Sequence, residues 1–374
     1  MSEWKKVRLG EIANYVNEKI DIKAFDTSLY ISTDSMLKDK GGIGTPESIP
    51  ESGKVTKYQH NDILVSNIRP YFKKIWFSNR EGGCSNDVLV FRANDNIDST
   101  FLYYVLSDDS FFDHMMSSAN GTKMPRGNRK LIPSFEIPLP PLSTQHRIAS
   151  ILSRYDSLIE NYQKQIKLLE EAAQRLYKEW FIDLRFPGHE NTKIVEGLPE
   201  GWEKMKVGEL IAKVPRSKQI PTKDYQKKGV IPIIDQSRDY IAGYTDDMES
   251  KVESNEPYIV FGDHTRVLKY VPFPFAKGAD GTQLIMSNNL DLMPQCLLFT
   301  SLVSVDLSNY SYARHFKYLK EEEILVPTAS IANAFSKHVA KWYAKIQLNR
   351  EQLRLLSEAR DRLLPKLMSG EIEI

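Results

Sequence analysis

The chain has 374 residues, of which 41% are hydrophobic and 26% charged, and this composition is typical of a globular protein rather than a disordered or fibrous one. Because 50 Lys and Arg residues nearly balance 49 Asp and Glu residues, a uniformly basic nucleic-acid coat is excluded, although local basic patches are not. The two cysteines, Cys84 and Cys296, lie too far apart for a zinc knuckle or a disulfide framework.

The beginning of the sequence has no apolar run of the kind found in secretory signals. The most apolar stretch, residues 292–307, is interrupted by polar residues and is too short for a membrane span. We therefore expect a cytoplasmic protein.

The opening segment of the chain occurs a second time. Residues 4–12 return as 202–210 with the same Trp, Lys, Gly and Glu, and residues 136–181 align without a gap on 323–368, a shift of 187. The regions between these segments match poorly. The repeat predicts one scaffold used twice, each half having an opening segment, a variable middle, a hinge and a long helix.

The first middle, residues 14–134, reads as mixed α/β, with strands at 63–68, 74–77 and 88–92 and a Ser- or Thr-capped helix at 99–106. The loop 121–130 carries four positive charges and no negative one. Arg and Lys bind phosphates or read guanine and Asn reads adenine, so these groups suit DNA, although ordinary polar turns are the alternative. The candidate DNA-binding residues of this half are Asn67, Arg69, Lys73, Lys74, Lys123, Arg126, Arg129 and Lys130.

The first long helix is predicted to begin at Ser143, a plausible N-cap after a proline-rich hinge. Its apolar residues recur at alternating steps of four and three, which is the heptad pattern of a coiled coil. About 36 such residues would span roughly 55 Å.

The second middle, residues 212–321, also reads as mixed α/β, with strands at 231–234, 258–261, 267–270 and 284–286. The turn 261–266 ends a strand, and without a neighbouring nucleophile or metal partner we interpret Asp263 and His264 as part of a recognition turn. The candidate DNA-binding residues of this half are His264, Thr265, Arg266, Lys269, Lys277, Gln283, Arg314 and Lys317.

The second long helix keeps the same heptad frame, but Asn349 and Arg360 interrupt its apolar series. A polar residue at such a position lowers stability and can fix the register. We expect the two helices to pack antiparallel on each other, with one globular domain at each end. The alternative is two separate amphipathic helices, each covering the core of its own domain.

Catalytic motifs are missing from the sequence. The seven histidines are scattered, and HExxH, GxSxG, a Walker A loop and the Asn-Pro-Pro-aromatic motif of amino-methyltransferases do not occur. We therefore expect no catalytic residues and no metal site. A standalone nuclease or methyltransferase, or a protein-only coiled-coil adaptor, stays open as an alternative.

The order of these segments resembles a known family. An opening WxxxxLGE segment, a variable middle and a PLPPLxxQxxIxxIL hinge and helix, followed by the same again, is similar to the DNA-specificity (S) subunit of type I restriction-modification enzymes. Residues 138–142, Gln145 and residues 148–152 match the hinge, and residues 261–266 and 278–281 match second-domain features. The second hinge departs from the pattern, with Asn333 at the place of the Gln.

The resemblance implies an α+β fold in which two mixed α/β target-recognition domains are separated by an antiparallel two-helix coiled coil, with a pseudo-twofold internal repeat. It places the first domain at 1–142, the first conserved helix at 143–185, the linker and second domain at 186–328 and the second helix at 329–374.

In function, the resemblance implies a non-catalytic subunit whose domains each read one half of a bipartite DNA target, while the helices set the spacer. Two methyltransferase subunits would dock on it, and restriction subunits would join through the complex. S-adenosylmethionine, ATP and Mg would belong to those partners, so we expect no cofactor in this chain. The residues assigned to partner binding are Trp4, Gln145, Tyr177, Trp180, Phe181 and Trp202.

Overall fold

A computed structural model of the protein describes residues 4–121, 123–310, 314–372 and 374. The chain forms two compact units: unit 1 comprises Met1–Glu160 and Arg354–Ile374, and unit 2 comprises Asn161–Leu353. The division differs from the predicted one, because each long helix contributes one part to each unit instead of forming a separate domain.

Unit 1 contains the first middle and three small sheets. The elements are β1 Lys5–Arg8, α1 Leu9–Ile12, β2 Ala13–Tyr15, β3 Lys19–Asp21, β4 Lys54–Tyr58, β5 Ile63–Ser66, β6 Ile75–Phe77, β7 Gly82–Cys84, β8 Val88–Ala93, α2 Ser99–Ser107, α3 Asp109–Ser117, β9 Glu136–Leu139 and the first part of α4, Leu142–Tyr177. The strand orders of the sheets are β1-β9, β3-β4-β7 and β2-β8-β5-β6, and the strand pairings within them are antiparallel in the described residues.

The predicted strands of unit 1 are confirmed, with ends that differ by one or two residues. Every residue of β5 is buried, as expected for a central strand whose two faces are covered. The cap of α2 is not the predicted Ser or Thr. It is Asp98, whose carboxylate accepts a hydrogen bond from the Phe101 amide at 2.7 Å.

Unit 2 contains the second middle. After α4 a π-helical turn follows at Lys178–Ile182, so the α-helix ends before the predicted residue 185. The further elements are β10 Ile194–Val195, β11 Leu198–Pro199, β12 Glu203–Lys206, α5 Val207–Leu210, β13 Ile231–Ile234, β14 Gly243–Thr245, β15 Lys251–Val252, β16 Tyr258–Gly262, β17 Leu268–Val271, β18 Phe275–Lys277, β19 Thr282–Ile285, α6 Gln295–Val303, α7 His315–Glu321, β20 Glu323–Val326 and α8 Ala329–Met368. In the described residues the strands form four small sheets, β10-β11, β12-β20, β17-β16-β19 and β14-β13-β18-β15, and only the β13–β18 strand pairing is parallel.

The long helices pack on each other inside each unit. In unit 1, Ile148 and Leu152 of α4 share the core with Leu364 and Leu367 of α8. In unit 2, Tyr177 of α4 packs on Phe335 of α8, with ring centroids 6.3 Å apart, while Gln165 bonds Asn349. Since residue numbers rise along one helix as they fall along the other, the pairing is antiparallel in each unit.

The internal repeat extends to individual contacts. The opening strand pairs with the strand before the hinge in both units, Val7 opposite Ile137 and Met205 opposite Ile324. In each unit, the sixth residue of a nine-residue helix also forms a hydrogen bond with the long helix that follows it. Tyr104 Oη of α2 donates to Asp156 Oδ2 at 2.6 Å, and Thr300 Oγ1 of α6 lies 3.1 Å from Tyr343 Oη. Asp156 and Tyr343 are related by the same shift of 187 residues.

Candidate nucleic-acid interface

The charged loop of unit 1 lies against the end of strand β5. The Arg69 amide donates to the Pro125 carbonyl at 2.8 Å, and the Gly127 amide donates to the Asn67 carbonyl at 3.2 Å. The structure thus brings together the two groups of candidate residues in the first half. Thr122, in the same loop, lies outside the described residues. Four cationic side chains of the loop are exposed: Lys123, Arg126, Arg129 and Lys130.

Two of these side chains are held in place at their ends. Arg126 Nη2 lies 3.3 Å from the Asp87 carboxylate, and Arg129 Nη2 donates to the Asn86 carbonyl. An exposed ion pair of this kind contributes little to stability, about 0–1 kcal/mol. Its effect is to orient the arginines while their charge stays accessible.

A second group of cations surrounds a tight turn at Pro70–Phe72. The residues on either side of it, Arg69 and Lys73, have left-handed backbones with φ of 50° and 49°. The Lys40 and Lys73 ammonium groups lie 3.2 and 2.6 Å from Asp109. Lys40 was not predicted, because only the fold brings it beside residues 69–74.

Lys74 and Asn67 point inward. Lys74 Nζ donates to the Thr33 carbonyl at 2.7 Å, and burial lowers the pKa of this ammonium group. Asn67 is only 6% exposed, and a Cβ at position 127 would lie 2.9 Å from its Oδ1, which accounts for Gly127. We therefore revise the prediction for Asn67 from a base-reading residue to a residue that supports the loop.

Unit 2 contains a basic groove of about 720 Å³. Lys213, Arg216, Lys277 and Lys320 line it together with polar and apolar side chains, and no carboxylate belongs to the described lining. Burial lowers the pKa of Lys277, whereas the charge of Asp280 acts in the opposite direction. We call this surface the basic groove.

The basic groove also contains amide and hydroxyl groups. Gln219 and Gln283 line it, and so does Ser217, whose buried Oγ has no hydrogen-bond partner among the described residues. The sequence indicated only Lys277 and Gln283. The missed cations come from the segment Lys213–Lys218 and from helix α7, and the basic run KVPRSK in the first of these was a usable signal.

The turn 261–266 is fixed by its neighbours. The His264 amide donates to Gln236 Oε1 at 3.1 Å and Thr265 Oγ1 donates to the Gln236 carbonyl at 2.6 Å. Arg266, at φ 61°, donates from Nη1 to the Leu307 carbonyl at 2.9 Å. All three residues are exposed, so the turn is a rigid surface feature.

Asp263 connects this turn to helix α7. Its carboxylate accepts a hydrogen bond from the Phe316 amide at 2.8 Å, and its carbonyl accepts one from the His315 amide at 2.9 Å. The buried Asp263 is therefore a structural residue. The exposed candidates Arg314 and Lys317 are held near the turn by the same contacts.

Lys269 is the second DNA-binding prediction that we revise. The residue is 4% exposed, and its ammonium group donates to the Asp239 carbonyl and lies 3.8 Å from the Asp235 carboxylate. Burial lowers its pKa to about 8, although both aspartates oppose this shift. A side chain enclosed in this way cannot reach a phosphate on the surface.

The residues assigned to partner binding lie mainly inside their units. Phe181 packs on Trp202 and Phe335 in the core of unit 2, with ring centroids 5.5 and 5.1 Å apart, and Tyr177 and Trp180 belong to the same core. We therefore revise these four assignments to core packing, because buried rings offer no face to a partner.

The two remaining assignments of this kind lie in unit 1. Gln145 is buried, accepts from the Asp98 amide at 2.9 Å and donates to the Pro140 carbonyl at 2.8 Å, so it fixes the hinge. Trp4 is half-buried and packs against the core.

The described residues contain neither a cluster of metal-binding side chains nor a membrane-spanning helix. In the described ranges, three or more His, Cys, Asp or Glu side chains never come close enough together to hold a metal ion. Among the helices that the structure describes, none is long and apolar enough to cross a membrane.

Known proteins match both the sequence and the fold. Residues 1–171 match the family described as type I restriction modification DNA specificity domain. The type I restriction enzyme MjaIX specificity subunit of Methanocaldococcus jannaschii is 29% identical over 75% of this chain and 70% of its own length. The MjaVIII specificity subunit of the same organism is 31% identical over 56% of this chain and 49% of its own.

A solved structure supports the fold over almost the whole chain. The S subunit of a type I restriction-modification system from M. genitalium superposes with a TM-score of 0.62, covering 97% of this chain and 96% of the other. At 18% identity, this likeness shows a shared fold.

The buried Lys269 predicts a pH dependence of stability. Below about pH 8 its ammonium group is charged in the folded and unfolded states, and burial of the charge is unfavourable. Between pH 8 and the ordinary value of 10.5, only the unfolded state keeps the proton, so the free energy of unfolding rises with pH. Relative to Lys269→Met, the wild type should gain up to about 3 kcal/mol over this range, measured by urea unfolding at pH 7 and pH 10.

Lys123→Met is the control, because it removes an exposed lysine. Its difference from the wild type should stay constant over the same pH range. Parallel pH profiles for the wild type and Lys269→Met would contradict the assignment of a buried, perturbed ammonium group.

Proposed function

We propose that this chain, a member of the type I restriction-modification DNA-specificity subunit family, gives its complex a bipartite DNA target. Each unit would read one half of that target. The observation that carries the proposal is that both units contain the same opening strand, hinge strand and long helix, whereas their cationic surfaces differ. In unit 1 the surface is the loop beside strand β5, and in unit 2 it is the basic groove.

The two surfaces differ in chemistry. The loop of unit 1 presents the oriented guanidinium groups of Arg126 and Arg129, which suit guanine edges and phosphates. The basic groove combines cations with the amides of Gln219 and Gln283, which suit adenine edges. Two different surfaces imply two different half-sites, and therefore an asymmetric target.

The helices would set the distance between the half-sites. Helices α4 and α8 are 36 and 40 residues long, and their antiparallel contacts occur inside both units. We propose that they form one antiparallel coiled coil with a pseudo-twofold axis, which acts as a spacer of fixed length. The repeated contact of Tyr104 with Asp156, and of Thr300 with Tyr343, supports the pseudo-twofold relation.

Two equivalent docking faces would lie on the outside of the helices. Leu168 and Leu355, related by the repeat, are 53% and 45% exposed. Lys167 pairs with Glu171 beside the first leucine, and Arg354 pairs with Glu358 beside the second, at the same relative positions. Exposed side chains have no packing reason to stay alike while the two middles diverge. A shared partner supplies that reason.

We propose two methyltransferase subunits as the occupants of these faces, with restriction subunits joining through them. S-adenosylmethionine, ATP and Mg would be bound by those partners, and this chain would be non-catalytic. A standalone nuclease or methyltransferase is the rival proposal. A protein-only adaptor is a further rival, but it leaves the two cationic surfaces without a role.

The recognition surfaces can be tested by single substitutions. In the complex with the methyltransferase, Arg126→Ala and Arg216→Ala should each relax base preference in a different half of the target, because each removes a cation from one surface. Loss of a good Arg–base pair weakens binding by roughly 1–3 kcal/mol. The measurement is methylation of a pool of randomised targets followed by sequencing.

Lys193→Ala removes an exposed cation outside both surfaces and should leave the target unchanged. Relaxation of the same half-site by both arginine variants would refute the assignment of one half-site to each unit.

The docking faces predict a stepwise loss of partners. Leu168→Glu and Leu355→Glu should each reduce the number of bound methyltransferase subunits from two to one, because a buried carboxylate is unfavourable in an apolar contact. The double variant should bind none. Native mass spectrometry counts the subunits directly.

Leu348→Glu is the matched control, since Leu348 is 52% exposed on α8 but its counterpart in the repeat is Asn161. Binding of two partners by the double variant would show that the docking faces lie elsewhere.

The non-catalytic role has its own test. The purified chain, incubated with DNA and either Mg or S-adenosylmethionine, should neither cleave nor methylate, and activity should require the partner. Turnover by the lone chain that survives further purification would favour the standalone enzyme.

A further inference from the structure

One residue at the contact between the two long helices is polar and fully enclosed. Asn349 of α8 has no exposed surface, and its Nδ2 donates to Gln165 Oε1 of α4 at 3.1 Å. Its Oδ1 has no hydrogen-bond partner among the described residues. The neighbouring Ile346 is buried in the core of unit 2, with Ile166 and Leu169 packed against that core.

Stability alone does not explain this residue. A buried acceptor without a partner costs about 1–3 kcal/mol, whereas leucine at the same position would continue the apolar series. Polar residues at such helix contacts are known to select one register and to lower stability in doing so.

Unit 1 contains a second polar pair at the helix contact. Arg360 Nη1 of α8 lies 2.7 Å from Asp156 Oδ1 of α4, and Tyr104 of the first middle donates to the other oxygen of the same carboxylate. Burial alone would lower the pKa of Arg360, but the hydrogen bond and charge of Asp156 outweigh it and raise the pKa. Arg360 therefore keeps its charge at the helix contact.

Neither pair tolerates a shift of one helix along the other. After a shift of one heptad, Asn349 would face Leu158 or Ala172 instead of Gln165. In the same shift Asp156 would face Leu353 or Leu367, and its charge would lose the arginine. The remaining apolar residues recur every heptad and would fit almost equally well in the shifted register.

The pairs are also absent from the repeat-related positions. The counterpart of Asn349 is Tyr162, and the counterpart of Arg360 is Ala173. Asn349 and Arg360 therefore do not belong to the duplicated scaffold, although Gln165 returns as Gln352. They are additions specific to one place in each unit.

We infer that Asn349–Gln165 and Arg360–Asp156 are positioning pairs that fix the axial register of α4 and α8, and through it the spacer of the DNA target. The second part rests on the proposed function. A slip of one heptad moves a helix by roughly 10 Å. At about 3.4 Å per base pair, this corresponds to roughly three base pairs of spacer.

The test replaces the amide pair by leucines. The double variant Asn349→Leu, Gln165→Leu should unfold at a higher temperature than the wild type and populate a second register, which only the ion pairs between the two helices then still oppose. In the complex with the methyltransferase, methylation of targets whose spacer differs by three base pairs should rise at least tenfold relative to the wild-type spacer. The half-site sequences should stay the same.

The register can be measured without DNA or partner. Spin labels on Lys178→Cys and Leu348→Cys report the distance along the helices in unit 2, and the native cysteines Cys84 and Cys296 are buried. The wild-type background should give one distance. The leucine double variant should give a second one, displaced by about 10 Å.

Ile346→Leu is the control, because it repacks the same apolar contact without removing a polar pair. If the leucine variant does not fold, Arg360→Met provides the same two measurements on the other pair. A single distance together with unchanged spacer discrimination in the folded variant would overturn the inference. Absence of split-target methylation in the wild type would instead refute the proposed function and leave the distance measurement valid.

Discussion

The burial of the apolar faces of α4 and α8 against each other is the interaction on which the rest depends. Each unit uses this contact as part of its own core: Leu152 and Leu367 in unit 1, and Ala173 and Val339 in unit 2. Full burial of a Leu or Val side chain contributes roughly 1.5–3 kcal/mol. Neither middle is therefore a domain that merely hangs on a helix, since each unit completes its core with residues of both helices.

Sequence periodicity predicted many helices and strands well, because these elements have regular patterns of apolar residues. The strand at residues 231–234 was predicted to the residue, and α8 begins where expected. The assignment of partner contacts from the family resemblance was revised for most residues. Trp180 and Trp202 were assigned to partner binding, but both rings are buried in the core of unit 2. The informative members of the repeat are those that stay alike although exposed, such as Leu168 and Leu355.

The two cationic surfaces could be predicted only in part, because a sequence shows charge but not burial. Arg126 and Lys269 were both predicted to bind DNA because of their charge, yet the first is exposed and the second is enclosed beside Asp235. Most cations of the basic groove were not predicted, because a sequence does not show which distant residues the fold brings together. Arg216 and Lys320 are about a hundred residues apart, and only the fold places them in one cavity.

The short strand pairs explain how the two units combine a common scaffold with different surfaces. Each middle begins after one strand of a pair and ends before the other, and the pairs β1–β9 and β12–β20 have the same register. Between these two strands the chain has only to bury its own apolar residues and to present one short helix to the long helix that follows. The exposed loops are free of both requirements. The side chains of Arg126 and Arg266 are exposed, and backbone hydrogen bonds hold the turns, from the Arg69 amide to the Pro125 carbonyl and from the Arg266 amide to the Gly262 carbonyl. A change of loop chemistry thus leaves the contact between the two long helices undisturbed.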